Sequence, residues 1–228
     1  MATLLLRLAA PLQSWGADSK FETRKTNREP TKSGVVGLLA AALGLRRDDT
    51  AGLARLNGLR FAVRADREGS LLVDFHTAIR EEDRQKGKAP YVTYRHYLQD
   101  AVFLVGVESD DVALLQELET ALHRPAYPLY LGRRSCPPTL PVCLGTRTGE
   151  LLDTLETEPL LVQRSGAGPL RILSDADPAD PAAVPQCDLP VSFSPIHRQY
   201  RHRPVREWRV RPPELPGTTE HDAMAELR

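Results

Sequence analysis

Leu4-Leu5-Leu6-Arg7-Leu8, then Pro11-Leu12-Gln13-Ser14-Trp15-Gly16, then Pro30-Thr31-Lys32-Ser33-Gly34-Val35-Val36-Gly37-Leu38-Leu39-Ala40-Ala41-Ala42-Leu43-Gly44 open the chain, with a polar, basic stretch before the last segment. Thr3 to Ala9 reads as a buried strand that Pro11 ends. Thr31 or Ser33 can cap a helix that Gly44 closes. Val35, Leu38, Leu39 and Ala42 give that helix one apolar face. Gly34 and Gly37 leave room for another backbone or a ligand to come close. A strand therefore feeds a cationic loop, and the loop feeds a helix start, whose unpaired N–H groups and partial positive charge favour phosphate.

Working outward, Arg60 to Ala65 and Leu71 to Ala78 read as strands. Glu81 to Ala89 is charged and unpatterned and reads as a mobile loop. Tyr91 to Tyr97 reads as the return arm of a long hairpin, and Ala101 to Val107 as a further strand. Val112 to Leu122 is a helix with Leu115, Leu118 and Leu122 inward, and Pro141 to Leu144 a short strand. The order is β-α-β, a hairpin insertion at about 71–99, then β-α-β. Without the insertion this is an α+β, ferredoxin-like plan, an antiparallel sheet with two helices on one face. By analogy with RNA-recognition folds, the open face is the expected binding face.

After Gly145 prolines and acids increase and helical periodicity disappears. Leu160 to Gln163, Leu170 to Leu173 and Glu207 to Val210 are strand candidates, and Ser174 to Gln186 a surface loop. The expected organisation is a domain at 1–147, a small, mostly-β region at 148–211 and a flexible tail at 212–228.

With 228 residues the chain can bury a core. Thirty basic and thirty acidic side chains cancel. That argues against a free-standing, nonspecific nucleic-acid binder. The charge is nevertheless segregated, which suits local RNA contact inside a larger assembly. Three cysteines at no zinc-like spacing read as reduced thiols. With no signal peptide and no membrane-spanning run, the expectation is a cytoplasmic protein.

The candidate RNA-binding residues fall in three places. In the first basic loop, Arg24, Arg28, Lys32 and Ser33 can hold consecutive phosphates, Trp15 can stack on a base, and the Gln13 amide can meet a base edge. The alternatives are a capped helix with a solvated Lys32 and a Trp15 sunk in the core. In the insertion, His76, Arg80, Arg84, Lys86, Lys88 and Arg95 lie on or between arms carrying Tyr91, Tyr94 and Tyr97, a plausible RNA clamp. In the third place, Gly132-Arg133-Arg134-Ser135 on a Pro-bounded loop can aim guanidinium forks at phosphate. Hydrolase motifs and carboxylate clusters for two metals are absent. Metal-free RNA cleavage would draw on His76, Tyr97 and Lys32, although nothing in their spacing demands it. No metal or cofactor is expected.

Five separated blocks carry a family resemblance: Leu12 to Gly16; Pro30 to Thr50; Asp74-Phe75-His76-Thr77; Tyr94 to Ala101; and Tyr130 to Pro137. Arg206-Glu207-Trp208 adds a looser match. In these the chain resembles the CasD family, RAMP-superfamily subunits of the type I-E CRISPR surveillance complex Cascade. The resemblance implies a noncatalytic RNA binder that caps the 5′ handle of the CRISPR RNA, with the hairpin as a thumb kinking the guide. It implies the backbone subunit CasC, the large subunit CasA and target DNA as partners within the assembled complex. In a related type lacking the nuclease CasE, the CasD relative is itself a metal-independent endoribonuclease, which keeps His76, His96 and Tyr97 in play. A scaffold without RNA contact is the remaining alternative.

Overall fold

The computed structural model describes residues 1–16, 22–163, 168–194 and 196–213. Its elements are β1 (Ala2–Ala9), β2 (Leu12–Gln13), β3 (Thr23–Arg24), α1 (Lys32–Leu43), α2 (Thr50–Asn57), β4 (Arg60–Arg67), β5 (Ser70–Ala78) and α3 (Glu81–Gln85). There follow β6 (Tyr91–Gln99), β7 (Val102–Ser109), α4 (Val112–His123), β8 (Cys143–Thr148), α5 (Leu151–Thr157), β9 (Leu170–Asp175), β10 (Val184–Ser192) and β11 (Gln199–Val210). The fold is mixed α and β on a mostly antiparallel framework.

Seven strands form one sheet in the order β10-β11-β9-β4-β7-β1-β8, with every pairing antiparallel. Strand β1 is paired on both sides, between β7 and β8, and its leucines are apolar towards both faces. Leu4, Leu6 and Leu8 join the larger core with α1 and α4, while Leu5 points into a second core. Helix α1 starts where Thr31 Oγ1 accepts from Gly34 N–H (3.2 Å) and stops at Gly44, in the left-handed region at φ 76°. Val35, Leu38, Leu39 and Ala42 are buried as their spacing predicts, and so are Leu115, Leu118 and Leu122 of α4.

The face expected to be open is covered. Helix α5 lies on it, and Leu151 and Leu155 pack with Leu5, Ala62, Leu104 and Ile172. Gly106 of β7 makes this possible, because a Cβ there would stand 2.5 Å from a methyl of each of those two leucines. Opposite charges hold the two helix ends. The buried Glu108 carboxylate accepts from Leu151 N–H (2.6 Å) at the start. At the other end the buried Arg64 guanidinium donates to the carbonyls of Leu155, Glu158 and Pro159. Both signs match the helix dipole. With seven residues, α5 is too short for a 3.6-residue period to register, so its stability is tertiary. The strand expected at Leu160–Gln163 is absent. That segment is irregular, and Leu161 N–H donates to Asp66 instead.

The 148–211 segment contributes β9, β10 and β11 to this same sheet, with β9 paired to β4. Loop 176–183 is shorter than the expected Ser174–Gln186, and β11 is longer than the expected 207–210. Most of the expected 212–228 tail lies outside the described residues. The insertion is a separate ladder, β5 on β6, in register from Ser70↔Gln99 to Ala78↔Tyr91. Strands β2 and β3 pair with the other edge of β6. The tip expected as a loop contains the one-turn helix α3, with acids Glu81, Glu82 and Asp83 in its first turn.

Candidate nucleic-acid interface

An open cleft of about 1120 Å³ lies along α1, from Thr31 to Ala41, and past its end to Leu45–Asp48. Its other walls are residues 14–16, the 127–134 loop, and Phe193, Ser194, Ile196, Arg198 and Tyr200. Arg24, Arg46, Arg47, Arg133, Arg134 and Arg198 line it, against, among the described residues, the single carboxylate of Asp48. Asp48 is engaged by Arg46 at 3.2 Å. None of the other five arginines is ion-paired to a carboxylate among the described residues. Tyr127, Tyr130, Tyr200 and Phe193 add aromatic surface. Forked donors for phosphate beside flat rings for bases make a surface suited to single-stranded nucleic acid.

Backbone contacts that only glycine permits set the 130–136 loop. Gly132 sits at φ +88°, and a Cβ there would fall 1.7 Å from Ser14 O. Ser14 N–H donates to the carbonyl of the buried Leu131 (3.1 Å), which fixes the loop against the 12–16 segment. Arg133, half-buried, donates from Nη2 to Arg24 O (2.7 Å) and lies 4.6 Å above the centre of the Tyr97 ring. Its Nη1 is buried and has no hydrogen-bond partner among the described residues, which leaves one charged donor to be satisfied. Burial pushes the Tyr97 phenol up, but hydrogen bonds from Ser135 and Arg133 outweigh it and hold the group below its ordinary value. Arg134 and Ser135 are exposed. Arg133 thus joins the hairpin arm to the first basic loop.

Lys32 does not join them. Its side chain is 7% exposed, and Nζ donates to Asp175 Oδ2 and Leu59 O, both at 2.8 Å. Its backbone N–H donates to Asp188 Oδ2 (2.8 Å), so a carboxylate of the chain itself occupies the helix start expected to take phosphate. Arg203 completes the cluster by bonding both Asp188 (2.7 and 2.9 Å) and Asp175 (2.7 Å). Burial lowers the Arg203 pKa, and the two aspartates more than reverse that, raising it. Two cations and two anions close on one another under the sheet edge.

Gln13 and Trp15 are corrected in the same way. Gln13 is fully buried, donating from Nε2 to Leu8 O (3.2 Å) and Ala101 O (2.7 Å). Its Oε1 accepts from Trp15 Nε1 (3.0 Å). Trp15 is 1% exposed and pressed on α1, where a Cβ at Gly34 would come 2.8 Å from its ring. Ser33 is buried with its hydroxyl on Thr31 Oγ1 (3.3 Å) and reaches the cleft floor only at its margin. Arg28 is exposed outside the cleft lining, near Glu68.

On the hairpin, Arg84 and Lys88 meet Glu81 (3.9 Å) and Asp83 (2.7 Å), and Arg80 and Lys86 are exposed beside them. Arg95 Nε donates to Thr93 Oγ1 (3.3 Å), and His76 Nδ1 lies 3.9 Å from Asp74. The trio His76, Tyr97 and Lys32 is not assembled. His76 pairs with Thr93, four residues along β6 from Tyr97, or roughly 13 Å at strand rise, and Lys32 is sealed elsewhere. The reading of the residues missed Arg46, Arg47, Arg198 and Tyr200. Arg46 and Arg47 lie in the Pro30–Thr50 block with no local pattern to set them apart, and Arg198 and Tyr200 reach the cleft through long-range packing that no local pattern records.

Among the described residues no helix is long and apolar enough to cross a membrane. The chain is 44% identical over 157 residues to the CRISPR system Cascade subunit CasD of Escherichia coli (strain K12), covering 63% of this chain and 70% of that one. It is similar to a solved structure described as a CRISPR RNA-guided surveillance complex, with a TM-score of 0.80, 34% identity and 99% and 97% of the two chains covered. It is also similar to one described as a Cas protein, with a TM-score of 0.75, 40% identity and 94% and 99% covered. The family model for CRISPR-associated protein (Cas_Cas5) matches residues 3–206, nearly the whole of the sheet and the cleft, and the chain belongs to that family.

Proposed function

We propose that the chain is the noncatalytic subunit of a CRISPR Cascade complex that grips the 5′ handle of the guide RNA in the arginine cleft. The 71–99 hairpin is then the thumb that kinks the guide where handle meets spacer. The observation that carries this reading is the cleft itself, six arginines against one carboxylate among the described residues, on a chain of zero net charge. Strands β8-β1-β7-β4, taken alone, have the strand order of a ferredoxin-like sheet with α1 and α4 on one side, which supports the RAMP description of residues 1–147. Residues 148–211 buttress that unit and lend Arg198 and Tyr200 to the cleft. The partners are the guide RNA, backbone subunit CasC, large subunit CasA and target DNA read by guide pairing, in the cytoplasm.

Among the described residues the cleft lining has no histidine, lysine or glutamate. It offers no group with a near-neutral pKa to take a proton from a 2′-hydroxyl, which favours holding over cutting. The test is incubation of purified protein with labelled repeat RNA and EDTA, alone and within the reconstituted complex. Retention of uncut RNA, lost on Arg133→Glu with Arg134→Glu, is expected. Site-specific cutting with a cyclic-phosphate end would establish the endoribonuclease instead. Unchanged retention in the double variant would leave only a scaffold.

A further inference from the structure

Glu119 and His123 are one turn apart on α4, so both side chains lie on one face of the helix. Cys143 begins the edge strand β8 beside them. A carboxylate oxygen, an imidazole nitrogen and the thiol sulfur lie within 4.8 Å of one another. Among the described residues this is the group of three that could share an ion. None of the three lines the arginine cleft, so the site is independent of the RNA reading.

Its surroundings are those of a supported ligand set. Thr146 Oγ1 donates to Glu119 Oε2 (2.7 Å), which orients the carboxylate and leaves Oε1 free. Gly145 adopts φ +89°, so the strand bends there and the next residue, Thr146, reaches the carboxylate. A hydrogen bond of this kind to a carboxylate fixes the ligand and tunes the metal it holds. The burial is graded, with Cys143 8% exposed, Glu119 partly buried and His123 at the surface.

We propose that Glu119, His123 and Cys143 form a binding site for a divalent ion of the zinc class, with water in a fourth position. One sulfur, one nitrogen and one oxygen suit a borderline-soft ion and exclude magnesium and calcium, which want oxygen throughout. Bonds of 2.0–2.3 Å in a tetrahedron place ligand atoms roughly 3.3–3.8 Å apart. The exposed His123 ring can close the remaining ångström by changing rotamer. The bound ion pins the last turn of α4 to the sheet edge, and binding releases the Cys143 proton to solvent.

The probe is cobalt(II), titrated into the tag-free full chain and followed optically, with zinc as competitor. One equivalent is expected, with a thiolate-to-cobalt charge-transfer band that zinc abolishes. His123→Gln, a surface change that leaves the fold intact, should weaken binding about 100-fold, and Thr146→Val about 10-fold. Absence of the thiolate band in the parent chain overturns the proposal, and so does equal affinity in the His123→Gln variant with unchanged circular dichroism.

Discussion

Two groups of cations in this chain look alike as sequence and are used in opposite ways. Lys32 and Arg203 are buried against Asp175 and Asp188, and each charged nitrogen of that cluster is engaged by the chain itself. Five of the six cleft arginines meet no carboxylate among the described residues, and Arg133 keeps one buried donor unanswered. The carboxylates that silence Lys32 come from 143 and 156 residues away. Whether a basic side chain is available to RNA is therefore decided by which distant acids the sheet topology brings to it. The first group fastens β9, β10 and β11 to the start of α1, and the second is left over for a ligand.

Breaking the first group should have the largest effect. Asp188→Ala leaves Arg203 half-paired and strips the acceptor from Lys32 N–H. Removing one member of a buried ion cluster costs about 3–5 kcal/mol, because a charge is left without compensation. Urea unfolding should show a lowered midpoint. Lys32→Gln should cost about 2–3 kcal/mol, yet leave the salt dependence of RNA binding unaltered wherever the chain is folded. A flatter salt slope in Lys32→Gln would erase the distinction between the groups.

The second group should respond in the reverse sense. Arg46→Gln, Arg134→Gln and Arg198→Gln together remove three exposed charges from the cleft. For single strands the logarithmic salt slope changes by about 0.7 per lost phosphate contact, so the triple variant should flatten it by about 2. The unfolding midpoint should stay within error, since surface changes away from special contacts are nearly neutral. Filter binding of guide RNA at several salt concentrations reads this directly.

Gly132→Ala separates position from charge. It alters no charge, but places a methyl against Ser14 O at a left-handed φ. The φ alone costs about 1–2 kcal/mol, and the clash obliges the 130–136 loop to move with Arg133. A loss of about 2 kcal/mol in stability with roughly tenfold weaker RNA binding at an unchanged salt slope is expected. If binding stays intact while stability falls, Arg133 does not depend on where the loop holds it.

Much of this architecture can be read along the chain. The two β-α-β halves, the Thr31 and Gly44 caps, the inward face of α4 and the long hairpin all follow from local periodicity and turn chemistry. The Arg133-Arg134 loop does too, because Gly132 and its flanking prolines mark a rigid turn. What could not be read was tertiary. Helix α5 needs Gly106, Glu108 and Arg64, each far from it in sequence, and covers the face that a ferredoxin-like analogy leaves open. Trp15 and Gln13 sit in a family-like block, but a motif does not record whether its members face solvent, and here each satisfies the other.

The smallest effect concerns a third cation, Arg171, which is paired with more acid than it needs. It donates to Glu68 through two bonds of 2.8 Å, and Glu29 and Glu207 lie at 3.0 and 3.6 Å. The Arg171 hydrogen bonds hold the Glu68 carboxyl below its ordinary value of 4.5; burial opposes them, and the charges of Arg171, Arg28 and Arg209 assist. A carboxyl depressed in the folded state stabilises that state above its unfolded pKa, and the contribution fades as the pH falls through the folded value. Glu68 is 51% exposed, so solvent screening keeps the contribution below about 1 kcal/mol. The parent chain should therefore exceed Glu68→Gln slightly in urea midpoint at pH 7, and the gap should close as the solution is acidified below 4.5. RNA affinity should be the same in both, because Glu29 and Glu207 still neutralise Arg171. A gap that widens in acid would contradict the sign of the linkage, and an RNA affinity that rises in Glu68→Gln would move Arg171 from the silenced cations to the available ones.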